Sequence, residues 1–336
     1  MMSLISVDKN QKIPAYQQLI DSIIDGIDKK MMFEGEMLPS INQLTKDQKL
    51  AKETVVKALR VLQQKGIIEP VHGKGFFISS TDTKRQQRVF ILFDTLSSYK
   101  EVLYESIQQG FGNEVYLDIY FHHYNFTVFR KLVEEANGNY TSYIIMPFDE
   151  PGIGSILKSL PQNKIYLLDR YPLAVKTELP GVHQDFYTDV RQSLSPMRKR
   201  LEKYNTFYLV FRNTITEVPE ELREGFEAFS REAAIKAEVL LALKDHNLQK
   251  GSAFLVIDDK DLVWLVEQSE KKDLKIGKDI GIVSYNDTFL KKVVAGGISV
   301  ISTDFQEMGN RITSMVLNRE RKRVKNNCQF IDRNSF

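Results

Sequence analysis

Residues 38–79, LPSINQLTKDQKLAKETVVKALRVLQQKGIIEPVHGKGFFIS, constrain this chain more than any other stretch. Pro39 punctuates the chain, and Ser40 is placed to cap a short helix, with Gln43 at the capping-box position and Ile41 and Leu44 as its apolar face. The region of Gln48 and Leu50 reads as a turn. From about Ala51 to Lys65 the spacing of Val55, Ala58, Leu59 and Leu62 predicts a second helix with one buried stripe. Gly66 is a helix-ending glycine. Ile67 to Glu69 and Phe76 to Ile78 read as paired strands around His72-Gly73-Lys74-Gly75, where glycine permits positive φ and close approach to a backbone. An earlier helix opens at Pro14, with Tyr16, Leu19, Ile20, Ile23, Ile24 and Ile27 on one face. Helix, turn, helix and hairpin in this order can lay one helix in a DNA major groove.

Between Lys46 and Lys74 seven basic residues face three acidic ones, a surplus suited to phosphate contact. Lys52, Glu53 and Thr54 fall in the first turn of the second helix, the end that enters the groove in such motifs. Pro39-Ser40, Thr54-Val55, Ala58-Leu59, Gly66 and Gly73-Lys74-Gly75 resemble the N-terminal winged helix-turn-helix of GntR-type regulators over roughly residues 10–80. The resemblance implies that Ser40, Asn42, Lys52, Glu53, Thr54, Lys57, His72, Gly73 and Lys74 face double-stranded operator DNA. Two positions depart from the family. Val56 stands where many members have Arg, and Ile41-Asn42 where many have a Glu or Arg pair. Lys52 cannot make the planar two-pronged guanine contact of an Arg.

The chain has 336 residues, enough for two or three domains, and a formal net charge of +2. No run of 18 apolar residues predicts a membrane span, and MMSLISVDKNQK is not a secretory signal. The single Cys328 excludes an internal disulfide and a multi-cysteine zinc site. A cytoplasmic protein is expected. Residues 81–336 carry equal numbers of basic and acidic residues, so the whole surplus lies in the head, and the body points to small molecules and a second subunit rather than another polyanion.

The polar stretch 81–87, TDTKRQQ, reads as a linker between a head at 1–80 and a body at 88–336. In the body, strand-like runs at 89–93, 115–120, 143–146, 165–168, 207–211, 253–257 and 280–284 alternate with helical patterns at 101–110, 126–136, 187–203, 219–234 and 261–271. The alternation predicts two α/β lobes with parallel sheets, one over about 88–185 plus a late return and one over about 186–300. Ligands bind such sheets at the carboxyl ends of their strands.

Ile165-Tyr-Leu-Leu-Asp169-Arg170, Gly225-Phe226, Ile280-Gly-Ile-Val-Ser-Tyr-Asn286-Asp287, Ile301-Ser-Thr-Asp304-Phe305 and Phe330-Ile-Asp-Arg-Asn-Ser335 follow one another in the order seen in LacI/GalR-type effector domains, which are periplasmic-binding-protein-like. A GntR head on this body resembles the arabinose-repressor-like arrangement. The resemblance implies a homodimer with a sugar-like effector held between the lobes by Asp94, Ser97, Ser98, Tyr99, Lys100, Asp185, Arg212, Arg223, Asp258, Asn286 and Asp287. Carboxylates and amides take vicinal hydroxyls, an Arg donates, and a ring covers an apolar sugar face. Here too the chain departs, with Leu222 where the family often has Arg and Arg223 one position later, and Asn286 in place of a carboxylate.

His122-His123 lacks a third ligand at metal spacing, and the basic run 319–325 reads as a solvated helix end or loop. No phosphate-binding loop or nucleophile elbow is present, so neither an enzyme nor a bound cofactor is expected. The alternatives are a regulator of this type sensing a non-sugar metabolite and a pyridoxal-phosphate-dependent regulator-enzyme. A secreted solute-binding protein would not need residues 10–80.

Overall fold

The computed structural model describes residues 5–8, 13–81, 87–113, 115–172, 175, 178–212 and 218–336, without the Gln64 side chain. Most of the expected linker, residues 82–86, lies outside the described residues, as do 1–4 and 9–12 of the N-terminal segment.

The head starts with α1 (Ala15–Asp28), entered from Pro14, whose carbonyl accepts from the Gln17 and Gln18 N–H groups. In α2 (Ile41–Asp47) the Ser40 hydroxyl accepts from the Gln43 N–H at 3.2 Å. The expected reciprocal half of the capping box is not made. Gln43 donates instead to the Asp47 carboxylate at 2.7 and 2.8 Å, a charged acceptor one turn along the same face. Helix α3 (Lys52–Gln64) ends at Gly66, whose φ of +66° lets the Ile67 N–H reach the Leu62 carbonyl at 3.1 Å. Strands β1 (Ile68–Val71) and β2 (Gly75–Ile78) then pair antiparallel, and Met37 bridges to Phe77 at the hairpin's edge. Leu19, Ile23, Leu44, Val55, Leu59 and Leu62 meet in one buried core that fixes α2 and α3 against α1.

The first lobe comprises β3 (Gln87–Phe93), α4 (Ser98–Phe111), β4 (Val115–Phe121), α5 (Phe126–Ala136), β5 (Ser142–Ile145), α6 (Ile153–Leu157), β6 (Ile165–Asp169) and β7 (Gly181–His183). The second comprises α7 (Phe186–Leu194), α8 (Arg198–Leu201), β8 (Thr206–Val210), α9 (Glu220–Glu232), β9 (Ala237–Leu240), β10 (Ser252–Val256), α10 (Asp259–Lys271), β11 (Gly281–Tyr285) and β12 (Ser299–Thr303). The chain then returns to the first lobe through α11 (Phe305–Leu317) and β13 (Arg323–Lys325), and closes the second with β14 (Cys328–Ile331).

Among the described residues each lobe holds a six-stranded sheet, ordered β13-β7-β6-β5-β3-β4 and β14-β12-β11-β10-β8-β9. All neighbours are parallel except β14 against β12. Helices cover both faces, so central strands such as β3 are buried from Val89 to Phe93 and read as continuous apolar runs. The basic run 319–325 is neither helix end nor plain loop: it leaves α11 and contributes β13, because the register with Gly181 to His183 supplies hydrogen bonds that charge patterning does not reveal.

The chain crosses between lobes three times, and the crossings are bonded to one another. The Asn326 N–H donates to the His183 carbonyl at 2.8 Å, the Asp304 N–H to the Asn327 carbonyl at 2.9 Å, and Asn326 Nδ2 to the Asp304 carbonyl at 2.8 Å. Three short connections tied together in this way form the joint between the lobes.

Candidate functional site: an exposed helix-turn-helix face and an interlobe cleft

On the head, Asn42, Lys52, Glu53, Lys57, His72, Gly73 and Lys74 are exposed, Thr54 is half-buried, and Ser40 is spent on the α2 cap. The packing of Val55, Ala58, Leu59 and Leu62 inward turns the first turn of α3 outward. Lys57 does not extend freely: its Nζ lies 3.9 Å from the centre of the Tyr16 ring, a cation–π contact that pins it to α1. The wing tip turns at Gly73 (φ +75°) and Gly75 (φ +127°), where an added Cβ would meet no neighbouring atom, so backbone conformation and not crowding demands glycine.

Between the lobes lies a cleft of about 340 Å³, at the carboxyl ends of β3, β6, β8, β10 and β11. Its first-lobe wall includes Asp94, Ser97, Ser98, Tyr99, Asp169 and Arg170. Phe186, Arg212, Asp258, Asp261, Asn286 and Lys291 face them from the second lobe, and Gln184 belongs to the connection between lobes. Of the expected effector residues, Asp94, Ser97, Ser98, Tyr99, Arg212, Asp258 and Asn286 are therefore brought together.

Asp94 sits at the floor. Lys100 is its buried ion-pair partner, Tyr124 donates to it at 2.7 Å, and the Thr95 N–H also bonds it. Burial opposes ionisation of Asp94, yet these partners outweigh burial and hold its carboxyl below the usual range. Asp169 has the opposite balance. Burial is the largest influence and raises its carboxyl above the usual range, against the pull of Lys100 and of the Gln184 amide at 2.6 Å. It also stands at φ +76°, an unfavourable conformation for a non-glycine residue held at the end of β6.

Gln184 links the two walls. Its Nε2 donates to Asp169 in the first lobe, and its Oε1 accepts from the Thr303 hydroxyl of the second at 2.7 Å. Arg212 is forked onto the fully buried Asp261, with Nε at 2.8 Å and Nη2 on the other oxygen. The Lys291 ammonium spends its donors on the Tyr285 and Asn286 carbonyls and on Asp259, at 3.0, 2.8 and 2.9 Å. Asn286 Oδ1 is buried with no hydrogen-bond partner, an acceptor left open in the cleft wall.

Four expected effector residues lie elsewhere. Lys100 points beneath the cleft floor, drawn under by Asp94. Asp185 caps α7 through the Thr188 N–H at 3.1 Å and lines a smaller recess near the lobe connection. Arg223 lies along α9 between Glu220 and Glu227, partners one turn away on either side. Asp287 is clamped by both terminal nitrogens of Arg333, at 2.8 and 2.7 Å, and serves the fold of the C-terminal strand. Conversely, Asp169, Arg170, Gln184, Phe186 and Lys291 were not among the expected residues. Asp169 and Arg170 sat inside a motif already singled out. Nothing local in the sequence marks Gln184, because its role comes from the lobe connection.

His122 is fully buried, donating from Nε2 to the Met146 carbonyl at 2.9 Å and accepting the Tyr124 N–H at Nδ1. Burial pulls its pKa down to about 4, so it is a neutral packing residue beneath Tyr124. Gly225 belongs to α9, where an added Cβ would lie 2.5 Å from the Tyr187 carbonyl oxygen, so glycine lets α9 and α7 approach.

Residues 15–78 match the family described as bacterial regulatory proteins, gntR family, and residues 188–335 match the periplasmic binding protein-like domain. The chain thus joins a head that matches the gntR family to a body that carries a periplasmic binding protein-like domain. Two curated proteins of Bacillus subtilis (strain 168) resemble the head. The HTH-type transcriptional repressor YtrA is 34% identical over 76 residues, 23% of this chain and 58% of that protein. The uncharacterized HTH-type transcriptional regulator YydK is 35% identical over 63 residues, 19% of this chain and 27% of that one. The match thus spans less than two thirds of either relative. The body shares its fold with the trehalose repressor from Escherichia coli (TM-score 0.62, 14% identity, covering 74% of this chain and 100% of that one). A dimeric Lac repressor with a C-terminal deletion is similar to the same extent (TM-score 0.62, 13% identity, 74% and 98%).

Proposed function

We propose that this chain is a ligand-responsive transcription regulator: the head binds operator DNA, and a polyhydroxylated small molecule of the sugar class binds between the lobes and controls it. The observation that carries the reading is the joining of an exposed, basic helix-turn-helix face to a hinged cleft with paired charges on both walls. Carboxylates at Asp169 and Asp258 and the open Asn286 acceptor suit hydroxyl donors, Arg212 suits a ring or hydroxyl oxygen, and Phe186 offers an apolar face. One solved relative of the body's fold, from Alkaliphilus metalliredigens QYMF, holds D-xylulofuranose, which supports a sugar-sized polyol.

Closure of the lobes around ligand would alter the position of the heads, with a coupling of about 1–3 kcal/mol typical of such systems. We assign a homodimer, since one head reads a short half-site. The exposed apolar residues Phe289, Leu290 and Val293 give a second copy a surface to cover. Among the described residues no helix is long and apolar enough to cross a membrane.

The test is a thermal-shift panel of monosaccharides, disaccharides and sugar phosphates on the full chain. A ligand present at about 100 times its Kd adds about 2.7 kcal/mol, which is roughly 5–10 °C for a unit of this size. A flat response to every sugar would refute the effector class. A shift from a non-sugar metabolite would replace it.

A further inference from the structure

The head does not touch the body at random. Asp21, Asp25 and Asp28 are four and three residues apart on α1, which sets three carboxylates along one helix face. That face looks across a polar gap toward the first lobe, and all three residues line it. Two cations cross the gap: Lys164 meets Asp21 at 3.0 Å with both side chains mostly buried, and Arg319 meets Asp28 at 3.3 Å. Close by, the Pro14 ring lies against Gly138 of the first lobe.

The two cations come from distant parts of the chain. Lys164 precedes β6, and Arg319 follows α11. Arg321 clips these segments together: its guanidinium donates to the carbonyls of Gln162, Asn163 and Ile165, at 2.7, 3.4 and 2.9 Å. Lys164 and Arg319 are thereby held on one surface. Helix α11 starts beside Asp304, one of the lobe crossings, and ends next to Arg319. It is packed along α4 through Met308, Ile312 and Met315, so it moves as a rigid part of the first lobe's edge.

We propose that Lys164 and Arg319, clipped by Arg321, form a docking surface for the acidic face of α1, an ionic latch that holds the head against the first lobe and ties its position to the lobe crossing through α11. The occupant is the head of this chain, and the recognition is charge complementarity across the polar gap. The Arg319–Asp28 pair is the more exposed of the two and is screened by salt, while the more buried Lys164–Asp21 pair is screened less, so high salt loosens the latch first at Arg319. Its use as a regulatory step rests on the function proposed above. The docking itself does not.

The experiment measures the head-to-body distance in the full chain without DNA or effector. Spin labels are placed at Glu69→Cys on the wing and Glu134→Cys on α5, both exposed positions, in a Cys328→Ser background. With the doubly labelled chain diluted into excess unlabelled chain, so that a dimer carries one labelled copy, pulsed dipolar spectroscopy should give one narrow distance population at about 50 mM salt that broadens at about 1 M. Arg319→Glu or Lys164→Glu should broaden it at low salt, and pairing Arg319→Glu with Asp28→Arg should restore it. Circular dichroism of each variant reports folding separately. A broad distribution in the unmodified latch at low salt, reversals that leave it narrow, or a charge swap that fails to restore it would each overturn the proposal. None of these outcomes bears on whether sugars or DNA bind.

Discussion

Replacing Lys100 by Met would test how the cleft is held ready for ligand. Lys100 is 2% exposed and Asp94 6%, so the substitution leaves a carboxylate inside the protein without its counter-ion. Losing one member of a buried pair costs about 3–5 kcal/mol, and the Tyr124 and Thr95 hydrogen bonds that remain on Asp94 place the loss near about 3 kcal/mol. That corresponds to roughly 6–12 °C in Tm for a unit of this size. The pH dependence has a definite sign. In the unaltered chain the Asp94 carboxyl is held below its usual range, so its contribution is present above that range and lost as pH falls through the folded pKa. In the variant burial dominates and raises the folded pKa, so protonation relieves the unpaired charge. The gap between the two proteins should therefore narrow from about pH 8 to about pH 5. Differential scanning calorimetry across that range is the assay. A loss below about 1 kcal/mol, or a gap independent of pH, would refute the reasoning.

Other substitutions separate the roles assigned above. Arg212→Lys keeps a charge on Asp261 but removes the fork, so the sugar found by the thermal-shift panel should bind at least about tenfold more weakly by isothermal titration, with a loss of about 1–3 kcal/mol in stability from the bond taken off the buried Asp261. Asp287→Ala should lower stability by about 1–3 kcal/mol in calorimetry while leaving sugar affinity within about twofold, because it frees Arg333 and not the cleft. Gly66→Ala meets open space at φ +66°, so conformational strain alone should cost the head about 1 kcal/mol, read as an earlier thermal transition of the head.

The head was legible because its signals are local. Ser40, Gly66 and the Gly73–Gly75 tip each act within a few residues, and the stripe of Val55, Leu59 and Leu62 needs only a helical period. The central strands were legible for a similar reason, since β3, β5, β8 and β10 become buried, largely apolar runs after their first one or two residues. Short and late strands were not. β7 and β13 have three residues each, and Arg323 and Lys325 look like solvated charge until β7 lies beside them. In the cleft, the sequence offers both Asp94 and Lys100 as effector residues, but not that one faces the cleft and the other turns beneath it. Asp287 looked like a ligand residue because its partner Arg333 stands far along the chain. Gln184 became recognisable only once the lobe crossings brought Asp169 and Thr303 to its two ends.

The central claim is that the head reads DNA, and a fluorescence-anisotropy titration of the full chain on the DNA upstream of its own gene tests it most directly. The account predicts tight binding over a scrambled duplex, with log K falling linearly in log salt by about 0.9 per phosphate contact, and weaker binding on Lys52→Ala or Lys74→Ala. No preference for the upstream duplex, or affinity that does not respond to salt or to these two lysines, would contradict it.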